Sequence, residues 1–391
     1  MTADAAPVVL PRRRVHGAGG GPVTARRSEL RVPPVDDPIE RVRAALSDVA
    51  AGRPVLVSDE NGGDLVVASE LTTPELMSFL IRHTSGFVCV AVPEDDADRL
   101  DLPLMARPDR GPAQCVAVDA RAGVSTGISA ADRATTVRLL AAPDTVSEDL
   151  VRPGHVVPLR VRADGVLGRR GRAEAAVDLA GLAGLRPSGA LCGLVSTIDP
   201  TRMAHGPELD DFAHAHGLQR TTVSDLVAYR MRFERLVERR VTTTMPLPAG
   251  PFTAVGYRSR LDGREHLALV HGVIGDGDDV PVHVHGECLV GDILGSTRCG
   301  CGERLRSALA GIADGGRGIV VYLRGGRGDL HLLAEAVPRA HQDGGDQPPV
   351  VIEDWLRDHG DAGQILRDLG VRSTRLVARD ALDQRCAAPH G

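Results

Sequence analysis

The spacing of apolar and polar positions changes character at Asp37. From there "PIERVRAALSDVAAG" repeats apolar residues at helical intervals and ends on Gly52, which predicts a helix. "PVLVSD" and "GDLVVASE" are short runs on either side of a polar turn and predict two strands. "TTPELMSFLIRHTSG" predicts a helix with a threonine N-cap, closed by Gly86, and "FVCVAV" a further strand. The alternation continues through "GLVSTI", "ELDDFAHAHG" and "TTVSDLVAYRMRFERLVERRV", whose helix is expected to end near Val241. "TTTMPLPAGP" reads as a linker. Beyond it "FTAVGYRSR" and "EHLALVHGVIG" predict paired strands, and "VPVHVHGECL" a strand running into a cysteine segment. Then come a helix at "GERLRSALAGIADGG", a strand at "GIVVYLRG", a helix at "DAGQILRDLG" and a strand at "STRLVA". No internal repeat is visible.

This pattern predicts an α/β (α+β) protein of two mixed-sheet domains. The expected boundaries are a tail at 1–36, a first domain at 37–241, a linker at 242–251 and a second domain at 252–391. The tail is rich in Arg, Gly and Pro, with six arginines against two acids over residues 1–35, and reads as disordered.

Composition sharpens the picture in four ways. Aromatic residues are 2% of the 391, so Leu, Val, Ile and Ala must fill the cores. All 46 basic residues are arginines, which excludes Schiff-base or lysine general-base chemistry. A net charge of −6 gives no nucleic-acid footprint over the whole chain. Seven sparse cysteines without framework spacing point to thiols in a reducing cytoplasm. No run is long and apolar enough to predict a membrane span, and no apolar stretch follows Arg12–Arg14 as a secretory signal would need.

The cysteine segment "ECLVGDILGSTRCGCG" sets Cys288, Cys299 and Cys301 in a C-x10-C-x-C array. Three thiolates and one open position suit a catalytic zinc; a closed structural zinc with His283 or His285 as fourth ligand, and three plain buried thiols, remain open by spacing alone. Gly300 and Gly302 permit the tight loop.

With "EHLALVHG", "GRGIVVYLRG" and "GQILRDLGVRSTRLV", this segment resembles GTP cyclohydrolase II over roughly residues 252–380. The resemblance implies Cys288, Cys299 and Cys301 as Zn2+ ligands, ring opening of GTP by an acidified water with release of formate and pyrophosphate, and Mg2+ on the triphosphate. It also implies Arg357 in phosphate chemistry with Asp354 nearby, and Arg324 and Glu287 beside the nucleotide, Glu287 orienting a ligand or water.

The first domain carries "IRHTSGFVCV", "LDLPLM", "GVSTGISAADRATTVR", "RPGHVVPLR" and "GVLGRRGRAEAAVDLAGLAGLRPSGALC". These blocks resemble 3,4-dihydroxy-2-butanone 4-phosphate synthase, which implies ribulose 5-phosphate as substrate with Mg2+. By that resemblance Glu60 and His155 are candidate acid–base groups, and Thr126, Asp132, Arg133, Thr136, Arg169 and Glu174 candidate substrate contacts. The hydroxyls and glycine amides of "STGISAADRATTV" suit a sugar phosphate, and suit capping and turn bonding equally well. The domain order resembles the bifunctional riboflavin-biosynthesis enzyme, and both families imply a homodimer.

Several positions depart from the two patterns. The synthase acidic loop is shortened to "SDENGGD", where Glu60 and Asp64 are the surviving carboxylates, and Gly62 stands for a glutamate. Its metal-binding histidine is Arg172, a permanent cation that cannot coordinate another. Its Cys-Glu is Cys192-Gly193. The cyclohydrolase half loses a Gln-Glu pair in "RGGRGDLHLL", a tyrosine near His341, and a lysine signature at "VARDALDQ". The expectation is therefore a zinc cyclohydrolase joined to an inactive synthase domain. A non-catalytic or regulatory paralogue, and a zinc hydrolase acting on another purine, are the competing readings.

Overall fold

The computed structural model of the chain describes residues 37–106, 113–296, 299–324 and 350–377, the stretch 350–359 by its backbone alone. The arginine-rich tail, "RGGRGDLHLL" after Arg324, His341 and "VARDALDQ" after Val377 therefore lie outside the described residues.

The first sheet has eight strands: β1 (Val55–Asp59), β2 (Gly62–Ala68), β3 (Cys89–Pro93), β4 (Ala113–Gln114), β5 (Val118–Ala120), β6 (Leu150–Val161), β7 (Gly189–Gly193) and β8 (Arg220–Thr222). Their order is β4-β6-β3-β7-β2-β1-β8, with β5 pairing β6 off that path. β3 runs parallel to β6 and antiparallel to β7, so the sheet is mixed. One face is covered by α1 (Pro38–Ala50), α5 (Arg172–Leu182) and α7 (Val223–Phe233), through Val42, Leu179 and Leu226 among others. The opposite face is covered by α2 (Pro74–His83), α3 (Glu94–Arg99), α4 (Ala130–Ala141) and α6 (Pro207–His216), through Met77, Leu140 and Leu209. The sheet is thus sandwiched between helices, and its strands are buried on both sides, as β2 is along its whole length.

Capping follows the sequence. Thr73 accepts from the Leu76 amide at the start of α2, and Ser129 from Asp132 at the start of α4. Thr222 and Asp225 form a reciprocal capping box at α7.

The second sheet contains β9 (Val237–Leu247), β10 (Gly250–Ser259), β11 (Glu265–His271), β12 (Val280–Gly286), β13 (Gly318–Leu323), β14 (Val350–Val351) and β15 (Ser373–Leu376), in the order β14-β15-β12-β13-β11-β10-β9. α8 (Cys301–Asp314) packs Ile312 against Phe252 and Leu269 on one face. α9 (Ile352–Asp368) packs Ala362, Ile365 and Leu366 against Val255 and Tyr257 on the other. Ile365 and Leu366 have no exposed surface, and each such side chain stabilises the fold by about 1.5–3 kcal/mol.

Two boundary expectations are corrected here. The last helix of the first domain stops at Phe233, not near Val241, and residues 242–251 are not a linker. They lie in a hairpin, with Thr242 opposite Val255 and Leu247 opposite Gly250. The polar run "RLVERRV" is compatible with a helix, but the β-branched "VTTT" that follows pairs along β10, and that pairing outweighs local propensity.

Candidate functional sites

In the first domain the shortened acidic loop is a tight hairpin turn. Asp59 pairs with Gly62, leaving Glu60 and Asn61 as its two tip residues. Behind it lies a cavity of about 410 Å³ whose polar lining includes Asp59, Asp64, Arg169, Arg172 and Glu174. Glu60 is exposed on the turn and is not part of that lining, so the hairpin's carboxylates facing the cavity are Asp59 and Asp64, with Glu174 from α5 beside them.

Arg172 opens α5, where a cation opposes the helix dipole. Its Nε lies 3.3 Å from Asp59 Oδ2 and 3.3 Å from Asp64 Oδ2, between the two carboxylates. Burial pushes the Asp64 carboxyl up to about 6, with Arg172 opposing the shift and Asp59 adding to it. Arg169 Nη1 donates to Glu174 Oε1 at 2.8 Å. Glu174 is buried and its Oε2 has no hydrogen-bond partner. A β-carbon at Gly193 would stand 2.6 Å from the Met203 terminal methyl and 3.2 Å from Asp64 Oδ1, so Met203 fills the space beside that glycine.

The other first-domain candidates gather elsewhere. His155 Nδ1 is 2.7 Å from Asp119 Oδ2, and its backbone N–H donates to Asp119 Oδ1. Neither residue lines the cavity. Asp132 accepts from the Ser125 hydroxyl and from the Ser125 and Gly127 amides, and the Ser125 hydroxyl foremost holds its carboxyl below the usual range. Thr136 Oγ1 accepts from the Ala120 amide and donates to the Asp132 carbonyl. Arg133 is buried and donates to the Gly86 carbonyl. Asp132, Arg133 and Thr136 thus spend these groups building the loop and α4; Thr126 stays exposed on that loop.

In the second domain, β12 leads through Glu287 into one π-helical turn, Leu289–Ile293, and the chain returns to start α8 at Cys301. The ligand atoms of Cys288, Cys299 and Cys301 all lie within 4.8 Å of one another, and Cys288 Sγ is 3.7 Å from Cys299 Sγ. Sulfurs bound tetrahedrally at the usual Zn–S distance stand about 3.8 Å apart, so this donor set fits zinc. Close backbone approach makes the convergence possible. A β-carbon on Gly291 would meet Cys299 Sγ at 2.7 Å, and one on Gly302 would meet the Gly291 carbonyl at 2.3 Å.

Two donors reach the sulfurs. The Gly291 amide donates to Cys288 Sγ and Arg304 Nη2 to Cys301 Sγ, both at 3.3 Å. Burial foremost, with the neighbouring cysteines adding to it, pushes the Cys301 thiol up; burial and Cys299 push Cys288 up, where the Gly291 amide opposes the shift. Asp292 ties the turn together. It accepts from the Cys288 amide and the Tyr322 hydroxyl at 2.9 Å, and both its oxygens lie 3.0 Å from His285 Nε2. His285 is therefore engaged by Asp292. His283 is fully buried, and burial pushes it down to about 4, so it is a neutral core histidine. Among the described residues the cluster holds the three cysteines alone, leaving one coordination position open.

Arg324 closes β13 and its Nε is 3.7 Å from Glu287 Oε1, so these two candidates do meet. Asp354 and Arg357 lie on α9, where residues three apart share one side of the helix; their side chains are outside the described residues. Sequence reasoning missed four partners: Asp59, Asp119, Asp292 and Arg304. Asp59 and Asp292 carried a local signal, one inside the acidic loop and one four residues after Cys288. Arg304, three residues after Cys301 on the same helix, carried a local signal too, and Asp119 carried none.

Comparison with known proteins agrees with this two-part layout. Residues 43–229 match the family 3,4-dihydroxy-2-butanone 4-phosphate synthase, and residues 238–385 match GTP cyclohydrolase II. The riboflavin biosynthesis protein RibBA of Salinispora arenicola is 52% identical over 353 residues, covering 87% of this chain and 83% of that protein. Its counterpart in Mycobacterium tuberculosis is 48% identical over 360 residues, covering 88% and 84%. Among solved structures, RibBX of A. baumannii, a two-domain 3,4-dihydroxy-2-butanone 4-phosphate synthase, superposes with a TM-score of 0.68 at 32% identity, covering 87% of this chain and 94% of its own. With two mixed-sheet domains, a match to each family in order and relatives along most of its length, the chain belongs to the bifunctional riboflavin-biosynthesis family that joins 3,4-dihydroxy-2-butanone 4-phosphate synthase to GTP cyclohydrolase II.

Proposed function

We propose that the second domain performs the cyclohydrolase reaction, opening the guanine ring of GTP with release of formate and pyrophosphate, and that the first domain does not carry out the magnesium-dependent synthase reaction. The convergence of Cys288, Cys299 and Cys301 on one point carries the first half. Zinc held there would polarise the reacting carbon's surroundings and make a bound water acidic enough to react near neutrality. The chain's own groups do the rest. Asp292 fixes the Cys288 backbone and the Tyr322 hydroxyl, which holds the thiolate turn in one geometry. Glu287 and Arg324 stand at the end of β12 and β13 as an acid and a cation for the nucleotide. Arg357 on α9 would act on the phosphates, and Mg2+ would supply countercharge to the triphosphate.

The position of Arg172 carries the second half. A divalent cation for a sugar phosphate would need the Asp59 and Asp64 carboxylates, and a guanidinium already bridges them. With Met203 beside Gly193, the space where the family pattern has a glutamate is filled by an apolar methyl.

The test is a pair of assays on the purified full chain alongside metal analysis. One zinc per chain, formate released from GTP and no formate from ribulose 5-phosphate with magnesium are expected. A zinc-free protein, or turnover of a different purine in place of GTP, would overturn the first half. Synthase turnover at a rate comparable to the cyclohydrolase would overturn the second.

A further inference from the structure

The two halves meet where α9 reaches residues 231–236, the short stretch between the two family matches. α7 ends at Phe233, and its last carbonyls have no helical partner. They are met from the other half of the molecule. Gln364 on α9 donates through Nε2 to the Met231 and Glu234 carbonyls and accepts from the Leu236 amide through Oε1. Arg367, one turn later, donates to the Arg232 and Glu234 carbonyls and to Gln364 Oε1. Gln364 is only 2% exposed, so its amide is committed to this joint.

The same stretch is fixed on its other sides. Asp361 lies 3.0 Å from His266 Nε2, and His266 Nδ1 accepts from the Arg324 amide at 3.1 Å. Asp368 accepts from Arg235, Arg239 and the Tyr257 hydroxyl. Just before this anchored half the helix kinks at Gly360, with φ 49° and ψ −122°. The nearest atom to a β-carbon there would be the Met231 terminal methyl of α7, at 3.9 Å. The other half of α9, 352–359, runs from that kink and carries Asp354 and Arg357.

We propose that Gln364 is a positioning residue for the cyclohydrolase reaction: by capping α7 it fixes the anchored half of α9, and through the Gly360 kink it sets where 352–359 lies. This rests on the proposed function, which makes Arg357 part of the phosphate chemistry. On this view the first domain is retained as the support for a helix of the second, independently of any chemistry of its own. The thiolate cluster is built from the turn after β12 and from α8, and makes none of these contacts.

The test uses the full chain with Gln364→Leu, which keeps side-chain volume and removes every bond to α7, and with Arg367→Gln as a milder second variant. Zinc content, kcat and KM for formate release from GTP, and amide hydrogen exchange are measured together. The expected result is unchanged zinc, a KM within about twofold, and kcat lower by on the order of tenfold, since displacement of a reacting group by about 1 Å costs up to 100-fold. Exchange should quicken in 352–359 and stay as in the native chain across 301–314. The proposal is overturned if exchange in 352–359 does not change, or if zinc is lost in step with kcat. Should the native chain prove inactive on GTP, the proposed function falls, and hydrogen exchange still decides whether Gln364 fixes the helix. If Gln364→Leu does not fold, Arg367→Gln is read by the same criteria.

Discussion

An arginine stands beside the ligand-type residues of both domains, and the two arginines do opposite things. Arg172 enters between Asp59 and Asp64 and bonds neither more closely than 3.3 Å, so its charge sits where the carboxylates converge. Arg304 reaches one sulfur, Cys301 Sγ, and leaves the other two facing each other. One guanidinium neutralises one of two carboxylate charges but only one of three thiolate charges, and the softness of sulfur suits zinc. On the proposed function, a neighbouring arginine closes one site to metal and leaves the other open.

The largest expected effect is at the sulfur site. Cys301→Ala should abolish stoichiometric zinc and with it formate release from GTP, since two thiolates and the open side cannot hold the ion. Metal analysis after dialysis reads this directly. Retention of one tightly held zinc in Cys301→Ala would show that the cation is bound elsewhere, and the contrast between the domains would lose its basis.

Next is Arg172→Ala. Without the guanidinium two partly buried carboxylates face each other, and the cost at neutral pH is about 3 kcal/mol, the lower end for breaking a buried pair because these side chains keep some solvent contact. Mn2+ should restore part of that stability and give an EPR-detectable bound fraction that the native chain lacks. Thermal unfolding with and without Mn2+ measures both. Ribulose 5-phosphate turnover should stay absent, because Gly193 supplies no carboxylate.

A third test sharpens the electrostatics of the same cavity. Burial raises Asp64 from its ordinary 3.8 to about 6. A carboxyl raised on folding adds stability that is complete below about pH 4 and is lost as pH rises through 6. Asp64→Asn should therefore flatten the loss of stability between pH 4.5 and 7.5 by about 2 kcal/mol, somewhat under the full value of a two-unit shift. Asp178, also pushed up to about 6 by burial but bonded to Arg230, stays as an internal reference for the remaining slope. Denaturant titrations at the two pH values give the answer, and an unchanged slope would mean Asp64 is ionised throughout.

The sequence made the sheets and most helices readable because their signals are local. Thr73 and Ser129 cap where hydroxyls precede apolar periodicity, and the cysteine spacing places three sulfurs without help from other parts of the chain. What escaped it depended on distant partners. The hairpin of β9 and β10 took residues with helical and linker character because β10 offered a ladder. Glu60 and Asp64 are four residues apart, yet only the turn geometry shows that Asp59, not Glu60, shares the cavity with Asp64. Asp132 and Thr136 carry a phosphate-site composition but turn their polar groups inward to build the loop. Asp119 is 36 residues from His155, and no spacing rule joins them.

The smallest effect belongs to Arg304, and it tests whether the second arginine is an outer support or a bystander. Its Nη2 donates to Cys301 Sγ from the first turn of α8, half exposed, and the bond adds a positive charge to a trithiolate that would keep a net negative charge with zinc bound. Arg304→Gln keeps a donor and removes the charge. Solvent contact limits the loss to about 1 kcal/mol, which corresponds to roughly fivefold weaker zinc binding, below the range usual for buried outer partners. Competition with a zinc chelator resolves a change of that size. Arg304→Glu, which reverses the charge, should weaken zinc further still. If neither variant moves the affinity, Arg304 does not act on the sulfurs, and the contrast with Arg172 reduces to the ligand types alone.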